Sequence, residues 1–142
     1  MDFSDSPFFS VLRANLSHLG QRQRLIAENL ANATTPGYVP RDTDEKAFGR
    51  ALEAAARVQT GNKLAMASTE GGHFGAGRAN AASFQTKILS APDSETTLDG
   101  NAVVLEDQML KQASTRADYE TSLALYQKGL QLVRMAIKSP AR

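Results

Sequence analysis

Cysteine and tryptophan are both absent from this chain of 142 residues. Without cysteine there is no disulfide framework, no thiolate metal ligand and no thiol nucleophile. An excess of one charge is missing too. Sixteen Lys and Arg against fifteen Asp and Glu leave a net charge of +1, which argues against a nucleic-acid binder and against an acidic tail. No apolar run approaches the roughly 18 residues of a membrane-spanning helix. The opening Met1-Asp2-Phe3-Ser4-Asp5-Ser6 is acidic and polar, unlike the basic-then-apolar start of a cleaved signal peptide. If the chain leaves the cytoplasm, a route without such a peptide is expected. No Ser/His/Asp set and no paired catalytic carboxylates stand out. His18 and His73 are far apart and have no ligand constellation around them, so no metal site is assigned. Gly71 to Gly77 is glycine-rich, but it lacks the Lys-Ser/Thr of a phosphate cradle and reads as a flexible loop. No catalytic, cofactor-binding or metal-ligating residue is therefore named, and the expected protein is not an enzyme.

What is present is heptad periodicity at both ends. Ser6-Pro7 is a helix start, a capping hydroxyl followed by proline at the first helical position. From there Phe9, Leu12, Leu16, Leu19, Gln23, Ile26, Leu30 and Ala33 step by three and four, interrupted only at Gln23. A helix from Pro7 to Ala33 would be ~40 Å long. A single amphipathic helix cannot bury its own stripe and needs a partner.

Near the C-terminus Ala102, Leu105, Met109, Gln112, Arg116, Tyr119, Leu123, Tyr126, Leu130, Val133 and Ile137 form a second stripe. Glu106 and Asp107 at its start and Lys138 at its end complement the helix dipole. Arg116 on the stripe has two readings: a stem that packs with a snorkelling head, or an inter-subunit ion pair that sets register. Gly129 is either a cost of ~1 kcal/mol or a place where another helix comes close.

Between the stripes, Asp42-Thr43-Asp44-Glu45 opens a short helix with Ala47, Phe48, Ala51, Leu52, Ala55 and Val58 on one face, ended by Thr60-Gly61-Asn62. Residues 63–99 carry only isolated apolar residues (Leu64, Met66, Phe74, Phe84, Ile88, Leu89), suited to short extended segments or loop. The expected fold is mainly α: N- and C-terminal heptad helices forming an antiparallel coiled coil, with a short middle helix and an irregular, partly extended loop region. The expected divisions are 1–38, 39–99 and 100–142 within one structural domain. The coiled-coil seam is expected at Phe9, Leu12, Leu16, Leu19, Ile26 and Leu30 on the first helix. On the last it is expected at Leu105, Met109, Tyr119, Leu123, Tyr126, Leu130, Val133 and Ile137.

The stretch closing the first stripe is Asn29-Leu30-Ala31-Asn32-Ala33-Thr34-Thr35-Pro36-Gly37-Tyr38. An asparagine at a helix end tolerates the left-handed conformation that closes the last turn. Thr35 precedes proline and is biased toward extended geometry. Pro36-Gly37 suits the centre of a type II turn, with glycine supplying the positive φ. On the residues alone this is a helix stop.

As a whole the stretch resembles the N-terminal signature of the flagellar axial family (rod, hook and hook-associated subunits), an Asn-hydrophobic-Ala-Asn core followed by Thr-Pro-Gly-Tyr. Glu28 and Thr34 depart from the family's usual residues without breaking the turn. Arg41 to Phe48 and Leu98-Asp99-Gly100-Asn101-Ala102-Val103-Val104-Leu105-Glu106 are similar to segments of the family's small rod members. The resemblance covers about half the chain. It implies a structural subunit of the proximal rod of the flagellar basal body, exported by the flagellar type III apparatus without a cleaved signal. It further implies polymerisation in the periplasm into a tube that transmits torque and encloses the export channel. The implied partners are other copies of the chain, other rod proteins, the adaptor FliE, the membrane-ring protein at the rod base and the export apparatus. No cofactor, nucleic acid or small-molecule substrate is implied. Asn29, Leu30, Ala31, Asn32, Thr35, Pro36, Gly37 and Tyr38 become the expected assembly joint. The rival readings are a cytoplasmic helical-hairpin adaptor or chaperone, and a small enzyme using residues 63–99.

Overall fold

The computed structural model describes residues 7–60 and 86–138. The expectations for Leu64, Met66, His73, Phe74, Phe84 and the Gly71 to Gly77 loop lie outside the described residues. Three helices dominate: α1 (Pro7–Ala31), α2 (Glu45–Thr60) and α3 (Leu105–Lys138), with two short strands, β1 (Arg41–Thr43) and β2 (Ile88–Ser90). The chain divides into two compact units. One holds α1, β1, β2 and α3. The other, Asp44–Lys87, holds α2 and is closed at its base by the Asp44 N–H donating to Lys87 O at 2.8 Å. Asp44 caps α2, its Oδ1 accepting from the Ala47 N–H at 2.8 Å. The acidic run expected to open this helix therefore divides. Arg41 to Thr43 pair with β2 in antiparallel register, Arg41 opposite Ser90 and Thr43 opposite Ile88, and the helix begins after them.

α1 and α3 pack antiparallel, as three contacts along their length establish. Phe9 meets Tyr126 edge-to-face at 5.4 Å between ring centroids. Asn15 Nδ2 donates to Ser122 Oγ at 2.9 Å, and Asn29 Nδ2 to Gln108 Oε1 at 3.1 Å. Positions that rise along α1, from Phe9 through Asn15 to Asn29, meet positions that fall along α3, from Tyr126 through Ser122 to Gln108. At ~1.5 Å per residue α3 is ~50 Å long and α1 ~38 Å, so the last two turns of α3 pass beyond Pro7.

On α1 the heptad stripe faces α3 and β1. Phe9, Leu12, Leu19 and Ile26 are buried, Leu16 and Leu30 half-buried, and Leu25, His18 and Asn29 join them. On α3 the seam is displaced from the apolar stripe. The line turned inward is Gln108, Thr115 and Ser122, all buried, continuing at Gly129, while Tyr119, Tyr126, Leu130 and Val133 flank it half-buried. Leu105, Met109, Leu123 and Ile137, expected at the seam, are exposed. A displacement of one residue is a rotation of ~100° about a helix axis. Heptad spacing alone leaves that rotation undetermined, and here the small and polar positions win. They let α1 approach closely and hydrogen-bond across the interface. Arg116 is exposed and pairs with Glu120 one turn along the same helix at 3.0 Å, a contact worth at most about 0.5 kcal/mol.

Gly129 is a close-approach position. A Cβ there would stand 3.0 Å from Phe8 Cε1 and 3.1 Å from Phe9 Cε1. Gly129→Leu should therefore destabilise the helix pair by about 1–3 kcal/mol despite leucine's better helix propensity. The check is the urea midpoint followed by circular dichroism. A midpoint at or above that of the parent would show that the Phe8 and Phe9 rings simply swing aside.

Candidate functional site

The site is a joint made of two segments more than fifty residues apart. The first is the end of α1. After Ala31 the helix tightens: the Asn32 N–H reaches Glu28 O at 3.2 Å and Asn29 O at 3.1 Å, and the Ala33 N–H reaches Leu30 O at 3.2 Å. Asn32 does not take the left-handed conformation expected of it, since among the described residues only glycines have positive φ. Its amide donates back to Glu28 O at 2.8 Å instead, and its Oδ1 accepts from the Thr35 hydroxyl at 3.2 Å. Thr35 to Tyr38 form the expected turn, with the Tyr38 N–H donating to Thr35 O at 3.2 Å and Gly37 at φ 70°.

Asn29 is the hub of this half, 2% exposed and satisfied on both sides of its amide. Nδ2 donates to Arg41 O at 2.8 Å and to Gln108 Oε1 at 3.1 Å. Oδ1 accepts from the Arg41 N–H at 3.0 Å and from the Tyr38 hydroxyl at 3.2 Å. One side chain therefore fixes the end of α1, the tyrosine after the turn, the entry to β1 and the first turn of α3. Arg22 holds β1 from the other side with a two-pronged ion pair to Asp42, 3.0 Å and 3.1 Å. Leu30 is half-buried, whereas Ala31, Thr35, Pro36 and Gly37 lie on the outside.

The second segment is Asp93 to Val104. The turn from Thr97 to Asn101 is closed by the Thr97 N–H to Asn101 O at 2.8 Å and the Gly100 N–H to Thr97 O at 2.9 Å. Gly100 has φ 81°, a conformation that side chains disfavour, and a Cβ on it would lie 3.5 Å from Gly37 Cα. The two positive-φ glycines face each other where the segments cross. The Gly37 N–H donates to Asp99 O, and the Ala102 N–H to Tyr38 O, both at 3.0 Å.

Asn101, 2% exposed, completes the cross-over. Its Nδ2 reaches the carbonyls of Asn32 at 3.0 Å, Ala33 at 3.1 Å and Thr35 at 2.7 Å. These carbonyls lie in the turn that follows Ala31; those of Asn32 and Thr35 also accept from the Thr35 and Tyr38 N–H, at 3.0 Å and 3.2 Å. Its Oδ1 accepts from the Val103 N–H at 2.8 Å. The turn after the first helix is thus held by the segment that leads into the last.

Gln108 and Asp93 carry the network inward. Gln108 Nε2 donates to Asp93 Oδ2 at 2.8 Å, Lys111 Nζ approaches Oδ1 at 2.6 Å, and the Val104 N–H caps Oδ2 at 3.0 Å. Burial by itself would push the Asp93 carboxyl up. The hydrogen bonds from Lys111, Gln108 and Val104, together with the Lys111 charge, outweigh it and hold the pKa below the ordinary 3.8. A folded pKa below the unfolded one means a contribution that is whole above about pH 4 and is lost as pH falls through the folded value. The thermal midpoint should therefore drop on acidification below about pH 4, and Asp93→Asn should flatten that limb of the profile. A midpoint with unchanged acid dependence in that variant would show that Asp93 does not carry it.

Among the described residues no group of His, Cys, Asp and Glu is placed to hold a metal ion. No described helix is long and apolar enough to cross a membrane. Sequence reasoning singled out the Asn29 half from its signature. It saw Leu98 to Glu106 as a second matching segment but gave Asn101 no role of its own, and it missed Asp93 and Gln108. The one available signal for Asn101 was an asparagine directly after a left-handed glycine, where a short amide can fold back on backbone.

No protein-family profile matches the chain. Individual relatives do. A flagellar basal body rod protein FlgB of Cereibacter sphaeroides is 35% identical over 117 residues, covering 82% of this chain and 83% of the relative. The FlgB of Salmonella typhimurium is 30% identical over 105 residues, 74% of each chain. That of Escherichia coli is 34% identical over 109 residues, 73% of each. With identity at this level across most of its length, the chain belongs to the FlgB family of flagellar basal-body rod proteins.

Proposed function

We propose that this chain is a subunit of the proximal rod, exported through the flagellar type III apparatus and polymerised into the axial tube that transmits torque and surrounds the export channel. One observation carries the reading. α3 keeps Leu105, Met109, Leu123 and Ile137 exposed along one edge at heptad-compatible spacing, beside the face already occupied by α1. An apolar edge of this length on a two-helix unit is left for other helices to cover. Burying it between subunits ties helix order to assembly. Neighbouring copies and other rod proteins are the natural covering helices. FliE and the membrane-ring protein are the partners at the base. The joint fixes the direction in which the chain leaves the helix pair, so Asn29, Leu30, Ala31, Asn32, Thr35, Pro36, Gly37 and Tyr38 serve assembly through geometry, with Asn101 as their counterpart.

The test is location. An epitope-tagged chain, expressed in a flagellated host deleted for its own FlgB, should restore swimming and co-purify with basal bodies at its uncleaved mass. Restored swimming with the tag confined to the cytoplasm would favour the adaptor reading and overturn this one.

A further inference from the structure

Gly20 lies in the interior of α1, where glycine is a poorer helix former than alanine. At Gly129 the packed phenylalanines account for such a residue. At Gly20 a Cβ would meet nothing within 4 Å, so nothing in the chain's own packing requires the glycine. Gly20 instead lines a groove of about 590 Å³ between α1 and α3. Leu16, Leu25 and Tyr119 supply its apolar wall, and Gln21 and Arg24 its polar part. Arg24 is exposed and has no ion-pair partner among the described residues.

A complementary shape stands at the joint. Leu98, at the tip of the Thr97 to Asn101 turn, is fully exposed. The turn beneath it is held by its own backbone hydrogen bonds and by the Gly37 N–H to Asp99 O contact at 3.0 Å. A leucine left wholly in water forgoes the gain of burial, and a fixed turn loses little further entropy on docking. Glu95 and Asp99 are exposed beside it, and neither has an ion-pair partner among the described residues. The Thr97 hydroxyl donates to the Asp99 carboxylate and, with backbone donors, holds its pKa below the ordinary range.

We propose that the Leu98 turn of one copy seats in the Gly20 groove of a second copy, the leucine against Leu16, Leu25 and Tyr119, and the Glu95 and Asp99 carboxylates toward Arg24. The chain cannot fill its own groove. Gly20 lies ~18 Å down α1 from Asn32, beside which the turn is pinned. Knob and hole are different surfaces, so the contact is heterologous, of the kind that builds rings or helical arrays rather than two-fold dimers. The proposal rests on the rod reading and names one contact within it.

The absence of cysteine makes the test clean. Purified L98C mixed with G20C and oxidised glutathione should form a mixed disulfide at least about tenfold faster than L98C mixed with Q131C under the same oxidant, because docking raises the effective concentration of the thiols. The advantage should shrink in high salt. In cells, Gly20→Leu should fill the groove and abolish swimming. The same substitution should leave the thermal midpoint of the purified chain unchanged or raised, since leucine is the better helix former. Equal cross-linking rates for the two mixtures overturn the contact, as does Gly20→Leu swimming like the parent. If Gly20→Leu blocks assembly while L98C and G20C do not cross-link, something else fills the groove. That outcome overturns this proposal and leaves the rod reading standing. If the parent chain never enters basal bodies, the rod reading fails, and the cross-link still reports the contact independently.

Discussion

Asn101→Ala should cost about 3 kcal/mol, on the order of 10–15 °C in the thermal midpoint of a domain this size. The side chain serves four backbone groups: the carbonyls of Asn32, Ala33 and Thr35 and the Val103 N–H. The Asn32 and Thr35 carbonyls keep the Thr35 and Tyr38 N–H as donors, so the loss falls on the Ala33 carbonyl and the Val103 N–H, at roughly 1–3 kcal/mol for each buried group left without a partner. Asn101→Asp is the sharper variant. It keeps size and shape, but a carboxylate cannot donate, and it would face three carbonyl oxygens. Its loss should exceed that of alanine, which an explanation by lost volume would not give. Asn29→Ala should show a cost of similar size, because four polar groups converge on its amide. The double variant should be less damaging than the two losses added together, since both residues hold the same crossing of segments. Full additivity in thermal melts would mean that the halves of the joint act independently.

Leu123→Asp should abolish swimming while changing the stability of the isolated chain by less than about 1 kcal/mol. Leu123 is 37% exposed on α3, on the edge proposed to meet other subunits. Its neighbour supplies the contrast. Ser122 is buried against α1 and accepts a hydrogen bond from Asn15 at 2.9 Å. Ser122→Leu should destabilise the isolated chain by about 2–4 kcal/mol, through overpacking and a stranded amide. Two adjacent residues are thus expected to separate folding from assembly, read by denaturant midpoint on one side and motility on the other. Loss of isolated-chain stability in Leu123→Asp equal to that in Ser122→Leu would show that Leu123 belongs to the intramolecular core.

The sequence by itself determined that there would be two long amphipathic helices at the ends, a short one between, and a proline-glycine turn after the first. Each depends on local chemistry: three-and-four spacing of apolar residues, a hydroxyl-proline or acidic helix start, and a glycine where φ must be positive. It also determined the family, because the Asn29 to Tyr38 signature is contiguous and can be read as a string. Two matters were left to the tertiary structure. The first is which face of α3 turns to α1. A heptad stripe of Leu105, Met109, Leu123 and Ile137 looks like a seam, yet Gln108, Thr115, Ser122 and Gly129 make it. Hydropathy registers an apolar edge without saying which partner covers it, and small polar residues that let a neighbour come close give no hydropathic signal. The second is the joint. Its strongest elements pair Asn29 with Gln108, and Asn101 with the end of α1. Such pairings are set by where a chain returns in space, which no local pattern encodes, so an asparagine with only a weak local signal holds the turn after a helix that ends some seventy residues earlier.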